Sequence, residues 1–536
     1  MDRARKGSQH SHQSEASADP SDVSSKTVGI HEMHQKRGRG SHDSWKRILR
    51  LTLQVILLLV AVFSLYTFWF INGKPVVKQD YVILLNQISR PENQSLENNA
   101  WPHYEKAVSL FQTAVESRSI LDWRTKRFTD LSESEQKTVE KWVQQNEKAW
   151  QQFLIACSKP YCWREYRPLD PNDELSWGLD VPTMRVDATH LTPLRRFMDL
   201  GVWHSRVQMQ HGQTQQAMDD CLALIRAGRH WCEDKLLIEY LLGLAMIHHA
   251  HREILNILSA RQLSADELEN LRQRLISVYR TDWPTFSTEI ERLIFLDVVQ
   301  HAFTGSGLGG GHLIPENLTP LVQVSSIVKT LGELETKPTL KQQLLYIDIS
   351  MLHARRSRTI GKYNQLLDKV NAMMKMTPFE RHADNISLDL NRPHVFNYKI
   401  YFDSFFGQSR YFIIGLLMPA VDHLLDIVCE KQAMHEATLT IVALQRWHAD
   451  TGEYPEALNE LVKAGYLKKL PADPYGHRPL VYTRIDEDFT LYSVGRNFKD
   501  DGGRLGHLGS YVRTWGTEKD GDAVFWPVHW QRKPEN

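Results

Sequence analysis

The sequence predicts a mainly α protein: a single transmembrane helix, an irregular helical-hairpin ectodomain and a small C-terminal α+β domain. Three observations carry this. An uncharged apolar run fills residues 51–71, helix punctuation recurs from about residue 80 to 430, and two short strand-like runs follow near the C-terminus. At 536 residues the chain exceeds one ordinary domain. Lys plus Arg and Asp plus Glu are both 64, so the overall charge balance calls for neither nucleic acid nor a strongly acidic partner.

Residues 1–46 are rich in Ser, His, Gly, Lys and Arg and hold few large apolar side chains. Such a segment cannot offset the entropy of ordering, so a disordered cytoplasmic tail is expected. The next run, LTLQVILLLVAVFSLYTFWFI, opens at Leu51 and closes at Ile71. Its length matches the roughly 20 residues a helix needs to cross a hydrocarbon core. Lys46, Arg47 and Arg50 crowd its front edge, while Tyr66, Phe68, Trp69 and Phe70 form an aromatic belt at its end. The positive-inside rule then puts the N-terminus in the cytoplasm and the rest outside it. A long leading region and no small-residue cleavage site favour an uncleaved signal anchor over 48–71 in a single-pass inner membrane protein. The second apolar stretch, 411–428, is interrupted by Pro419, Asp422, His423 and Asp426 and reads as a soluble core helix.

The body over 80–430 carries repeated start signals. Ser132 with Glu135 and Ser264 with Glu267 are capping boxes, and Thr192-Pro193 reads as an N-cap followed by proline at the first helical position. Residues 201–228 read as a helix, a tight turn at Gly212 and a second helix from about Gln215. That hairpin is weakly similar to a tetratricopeptide unit, with Gly212 and Ala217 at its small positions, but no second copy follows at a fixed period. The glycine run 304–312 lacks the Gly-Lys-Ser/Thr ending of a phosphate loop and is expected to be a connector.

Chemistry-bearing residues are few. His248 with His251, and His249 with Glu253, have helical spacings that suit shared zinc ligation, though the HExxH pattern is absent. Glu289, Glu291 and Asp297 offer paired carboxylates; Glu291 beside Arg292 reads more simply as an ion-paired flank. Among five cysteines, Cys157 and Cys162 bracket a Pro-containing loop, and a disulfide is expected in an oxidising location; Cys221, Cys232 and Cys429 read as buried helix residues.

From residue 431 a helix leads into TGEYPEALNEL, LPADPYG, the runs LVYTRI and FTLYSV joined by Asp486-Glu487-Asp488, and GDAVFW. The stretch LYSVGRNFKDDGGRLG, residues 491–506, is open to two readings, a metal-binding loop or a turn held by its glycines.

This ordered set, including Tyr482 and LYSVG, resembles the C-terminal domain of the type II secretion major pseudopilins over roughly the last hundred residues. The whole layout is similar to uncharacterised membrane-anchored proteins of planctomycete-type bacteria. The resemblance implies a calcium loop: Ser493, Gly495 and Asp522 match, and Asn497 stands where an aspartate is usual. Asp500 and Asp501 come from an inserted stretch as extra ligand candidates. About 350 residues between anchor and domain, and the absence of a processing site, set the chain apart from a pilus subunit. The expectation is a cell-envelope interaction or scaffold protein with protein partners there; the alternative is a membrane-tethered metal-dependent hydrolase on the histidines.

Overall fold

The computed structural model describes the chain except residues 1–27, 93, 113–122, 124–125, 171–180, 279–282, 306, 308–309, 320, 322–338, 389–408, 419–420, 509–510, 514, 516–520 and 529–536. The chain divides into two units, Met1–Asn72 and Gly73–Asn536.

The first unit contributes α1, Val28–Ile71. Its stretch Trp45–Ile71, with a mean hydropathy of 2.4 in its most apolar window, is long and apolar enough to cross a membrane, and no other helix among the described residues is. The helix starts inside the segment expected to be disordered to residue 46, because extending a formed helix fixes one residue per hydrogen bond gained, unlike the costly first turn. Residues 1–27 of that expected tail lie outside the described residues.

The second unit is mainly helical with a small antiparallel sheet. In chain order its helices are α2 (Tyr81–Ser89), α3 (Trp101–Leu110), α4 (Glu133–Gln145), α5 (Glu147–Cys157), α6 (Leu191–Gln210), α7 (Thr214–Cys232), α8 (Leu237–Ala260), α9 (Ala265–Val278) and α10 (Thr288–Ala302). After these come α11 (Leu340–Leu352), α12 (Arg356–Met373), α13 (Pro378–Ala383), α14 (Phe412–Leu417), α15 (Val421–Thr451) and α16 (Leu458–Lys463). Both capping boxes form: Ser132 Oγ accepts from Glu135 N while Glu135 accepts from Ser132 N, and Ser264 and Glu267 do the same. α6 starts at Leu191 rather than after Thr192, so Pro193 sits within the first turn, where N–H groups have no intrahelical acceptor anyway.

The hairpin read at 201–228 is present, with Gly212 in the left-handed region at φ 76°. Contacts fix α6, α7 and α8 as successive antiparallel neighbours. His204 meets Asp220, Ser205 Oγ donates to Ala217 O, and Cys232 Sγ donates to Tyr240 O. α7 and α8 cross at two glycines: a Cβ on Gly228 would lie 2.6 Å from Gly243 O, and one on Gly243 would lie 2.4 Å from Gly228 O. No side chain fits between the two backbones, so this crossing sets the spacing of the central helices.

The glycine run is a turn clasped at its ends, Thr304 N donating to His312 O at 2.9 Å and Phe303 bridging Leu313; residues 306, 308 and 309 lie outside the described residues. Near the C-terminus β1 (Val481–Ile485), β2 (Asp488–Ser493) and β5 (Ala523–Trp526) form a sheet in the order β1-β2-β5, all antiparallel; β3 (Gly506–Leu508) and β4 (Tyr511–Arg513) pair separately. The turn joining β1 to β2 is Asp486-Glu487; Asp488, the third residue of the expected connection, opens β2.

The domain boundary expected at 430 falls inside α15. That helix carries Ala437, Ile441 and Leu444 into the same buried cluster that holds Leu258 and Leu271 of the helical body and Leu491 and Phe525 of the sheet. Helical body and sheet share one core, so residues 73–536 are one unit rather than two. The expected Cys157–Cys162 disulfide is also absent: both thiols are free and buried, and Cys157 Sγ lies 3.8 Å from Tyr104 Oη. Burial pushes both thiols up to about 12, so they are inert as thiolates at neutral pH.

Gly228→Ala should lower stability by about 1–3 kcal/mol through overpacking. The measurement is the thermal unfolding midpoint of the full chain in detergent; an unchanged midpoint would show that the crossing tolerates a wider spacing.

Candidate functional site

The loop 493–503 folds around two carboxylates. The first, Asp473, comes from LPADPYG and is almost fully buried. Ser493 Oγ donates to it at 2.6 Å, Val494 N at 2.9 Å and Tyr475 N at 2.9 Å. Ser493, expected as a calcium ligand, therefore belongs to a turn centre whose acid the sequence reading did not single out. The signal was present in the LPADPYG motif, but only the fold shows that Asp473 accepts from the end of β2.

The second carboxylate is Asp522, fully buried at the start of β5. Both its oxygens lie 3.1 Å from Asp501 N, and Gly503 N donates to Oδ2 at 2.7 Å. Asp501 Oδ2 accepts from Gly521 N at 3.0 Å and from Asn497 Nδ2 at 2.8 Å. Asp500 turns elsewhere, accepting from Tyr492 Oη and Gly502 N, each at 2.9 Å. Asn497, Asp501 and Asp522 are thus brought into one hydrogen-bond network.

Calcium takes six to eight oxygens from carboxylates, carbonyls and water. Here Asp522 and Asp501 are turned onto backbone N–H donors, so the residues in this arrangement do not fit a calcium cage. Among the described residues no three His, Cys, Asp or Glu side chains group as a metal set. Burial raises Asp522 to about 6; the N–H bonds pull it down, and the charges of Asp500 and Asp501 push it up.

The histidine helix α8 is divided by its packing. His251 is fully buried against His435 of α15, ring centroids 5.1 Å apart, while His248 stacks edge-on to His249 at 5.6 Å. Burial holds His248 and His251 well below the usual imidazole range and brings His435 down to about 3. His435 has no local signal; it meets His251 only because α15 lies on α8. Glu253 is not free to share a site with His249. Arg206 grips it, Nε at 3.2 and 3.1 Å from its two oxygens and Nη2 at 2.9 Å, and Asn256 adds a bond at 3.1 Å.

The α10 carboxylates separate as well. Glu289, not Glu291, pairs with Arg292, at 3.0 Å. Glu291 is raised to about 7 by burial, with the Leu237 N–H working against the rise. Asp297 accepts from Thr183 N and Oγ1 and from Gln300 Nε2, a structural clasp between α10 and the 182–185 turn.

Sequence reading missed a third polar centre. His204 Nδ1 lies 2.6 Å from Asp220 and its Nε2 lies 3.1 Å from Glu147, while Trp150 Nε1 donates to Asp220 at 2.9 Å. Burial opposes a charge on His204, but the Asp220 bond and both carboxylates outweigh it and raise its pKa. The group resembles a relay, but it joins α5, α6 and α7 as a clasp inside their packing. Residues 16 and 57 positions from the histidine leave no spacing motif to find.

The chain matches no family model, no curated protein and no solved structure.

A carboxyl raised in the fold holds its proton more tightly folded than unfolded, so Asp522 contributes stability that fades as pH rises from its ordinary 3.8 through about 6. His204, also raised, contributes stability present below its ordinary 6.5 and lost as pH rises through its folded value. Asp522→Asn should flatten the fall in unfolding midpoint between about pH 4 and pH 7, and His204→Gln the fall above about pH 6. Melting curves across pH check both; slopes equal to those of the parent chain would refute the assignment.

Proposed function

We propose that this chain is a single-pass, membrane-anchored scaffold or interaction protein of the cell envelope, with its N-terminus in the cytoplasm and residues 73–536 outside it. The observation that carries the reading is the helix stretch Trp45–Ile71, with exposed side chains over most of its length, whose uncharged apolar run from Leu51 to Ile71 is preceded by Lys46, Arg47 and Arg50. An association with secretion machinery rests on the resemblance of the C-terminal domain alone. The buried titratable groups support a structural role, since Asp473, Asp522, Glu253 and Asp297 are each closed by hydrogen bonds within the fold. A cleft at the end of α5, lined by Lys159, Arg226 and Arg229, holds about 190 Å³, below the roughly 300–1,000 Å³ of small-molecule sites. The rival hydrolase reading has less behind it, because His251 and His435 are buried where a substrate would need to reach.

Topology is tested in intact spheroplasts carrying an epitope at each end of the chain. Antibody should reach the C-terminal epitope directly and the N-terminal one only after permeabilisation; the reverse pattern overturns the reading. The calcium expectation is tested on the same purified chain. With the loop carboxylates satisfied by N–H groups, the chain should unfold at the same midpoint in calcium and in chelator. A calcium-dependent rise would show that the loop rearranges into a cation site.

A further inference from the structure

The segment that follows the apolar helix is pinned to the body from its first residue. A Cβ on Gly73 would fall 2.6 Å from Thr304 Cγ2 and 2.9 Å from His312 Nε2. Pro75 bridges Thr304, Lys78 N and Gln79 N donate to Gln300 Oε1 at 3.1 and 3.2 Å, and Gln300 Nε2 returns a bond to Gln79 O at 2.7 Å. Residues 73–79 are thus an extended strap with both backbone and conformation fixed, and Asp80 caps α2 directly after it, accepting from Val82 N and Ile83 N.

This rigid segment turns apolar side chains to solvent. α2 buries Val82, Leu85 and Ser89, with Leu85 packed among Tyr166, Val186, Leu236, Ile290 and Leu293. Ile83, on one flank of α2, is 55% exposed, Ile88 on the opposite flank is 38% exposed, and the strap leaves Val76 37% and Val77 53% exposed. Scattered surface aliphatics are ordinary. Val76, Val77 and Ile83 fall within eight residues on a strap and helix start held by these hydrogen bonds, and Lys74 and Lys78 stand exposed beside them.

We propose that the strap and the Ile83 flank of α2 are a lipid-docking surface: Val76, Val77 and Ile83 enter the interfacial layer of the membrane, and Lys74 and Lys78 meet anionic headgroups. The inference rests on the membrane reading of α1. Continuity of the chain selects lipid as the occupant. Only Asn72 separates Ile71 from Gly73, and Val77, six residues beyond Ile71, lies at most about 21 Å of extended chain from the end of the apolar helix. Apolar side chains flanked by lysines suit that layer, where burial of aliphatic area and attraction to acidic lipids act together.

The test uses the full chain in vesicles containing acidic phospholipid, with an environment-sensitive fluorophore on Val77→Cys or Ile83→Cys and, as control, on the exposed strand position Ile485→Cys; the parent chain reports labelling of native cysteines. The three sites are solvent-exposed, so the substitutions leave the core intact, and circular dichroism checks this. The expected result is blue-shifted emission at 77 and 83 that nitroxide lipids quench, with neither effect at 485. Quenching no stronger at 77 and 83 than at 485, in chain that still resists carbonate extraction, overturns the docking surface and leaves the anchor standing. A blue shift without lipid quenching assigns the surface to a protein partner or a second copy, and also overturns it. Loss of the chain from the vesicles on carbonate extraction removes the anchor and the docking surface together.

Discussion

One buried carboxylate, Glu430, ties the C-terminal sheet to the helical body. Arg496 meets it through Nε at 2.7 Å and Nη2 at 2.6 Å, and the Tyr475 hydroxyl donates to the same oxygen at 2.9 Å. A charge taken from water is tolerable only when its partners are in place, and removing one partner of such a pair typically costs about 3–5 kcal/mol. The loops bearing Tyr475 and Arg496 therefore have to be held against α15. Those same loops frame Asp473 and Ser493, so the turn centre beside β2 inherits its geometry from an ion pair on a helix. Phe379 N donating to Pro474 O, and Arg381 meeting Asp426 at 2.8 Å, extend the seam through α13.

Asp473, Asp522, Glu253, Asp297 and the His204–Asp220 pair each answer to donors or acceptors on another element, so each works as a clasp between segments distant in the chain. Backbone amides in a glycine-bearing turn satisfy a carboxylate as a cation would, with no loss of ligand oxygens to water. That explains how a loop whose residues resemble a calcium site folds as a closed hydrogen-bonded turn. Chemical interest then passes to the surface, where the apolar run of α1 and the side chains of the strap and α2 stand uncovered.

The local signals were legible where physics is local. Both capping boxes, the Gly212 turn, the polar connection between β1 and β2 and the apolar helix over 51–71 depend on residues near each other in the chain. The split at 430 was misplaced because the apolar positions of α15 serve helix and sheet neighbours at once, and a one-dimensional pattern cannot say which partner a face has. Spacing of three and four put His248, His249, His251 and Glu253 on one short stretch of helix, yet packing sent His251 to His435 and Glu253 to Arg206. Cys157 and Cys162 are close in sequence, yet both stay free thiols buried in the shared core.

By itself the sequence determined the helical class, the apolar run, the two strands β1 and β2 and the polar turn between them, because each follows from backbone preference and the period of apolar side chains. Tertiary structure alone decided the Gly228–Gly243 crossing, the sharing of α15, the acceptors of Ser493 and Asp501, and which histidines meet. Those depend on contacts between elements far apart in the chain, where burial and hydrogen-bond satisfaction choose among many partners of equal local merit.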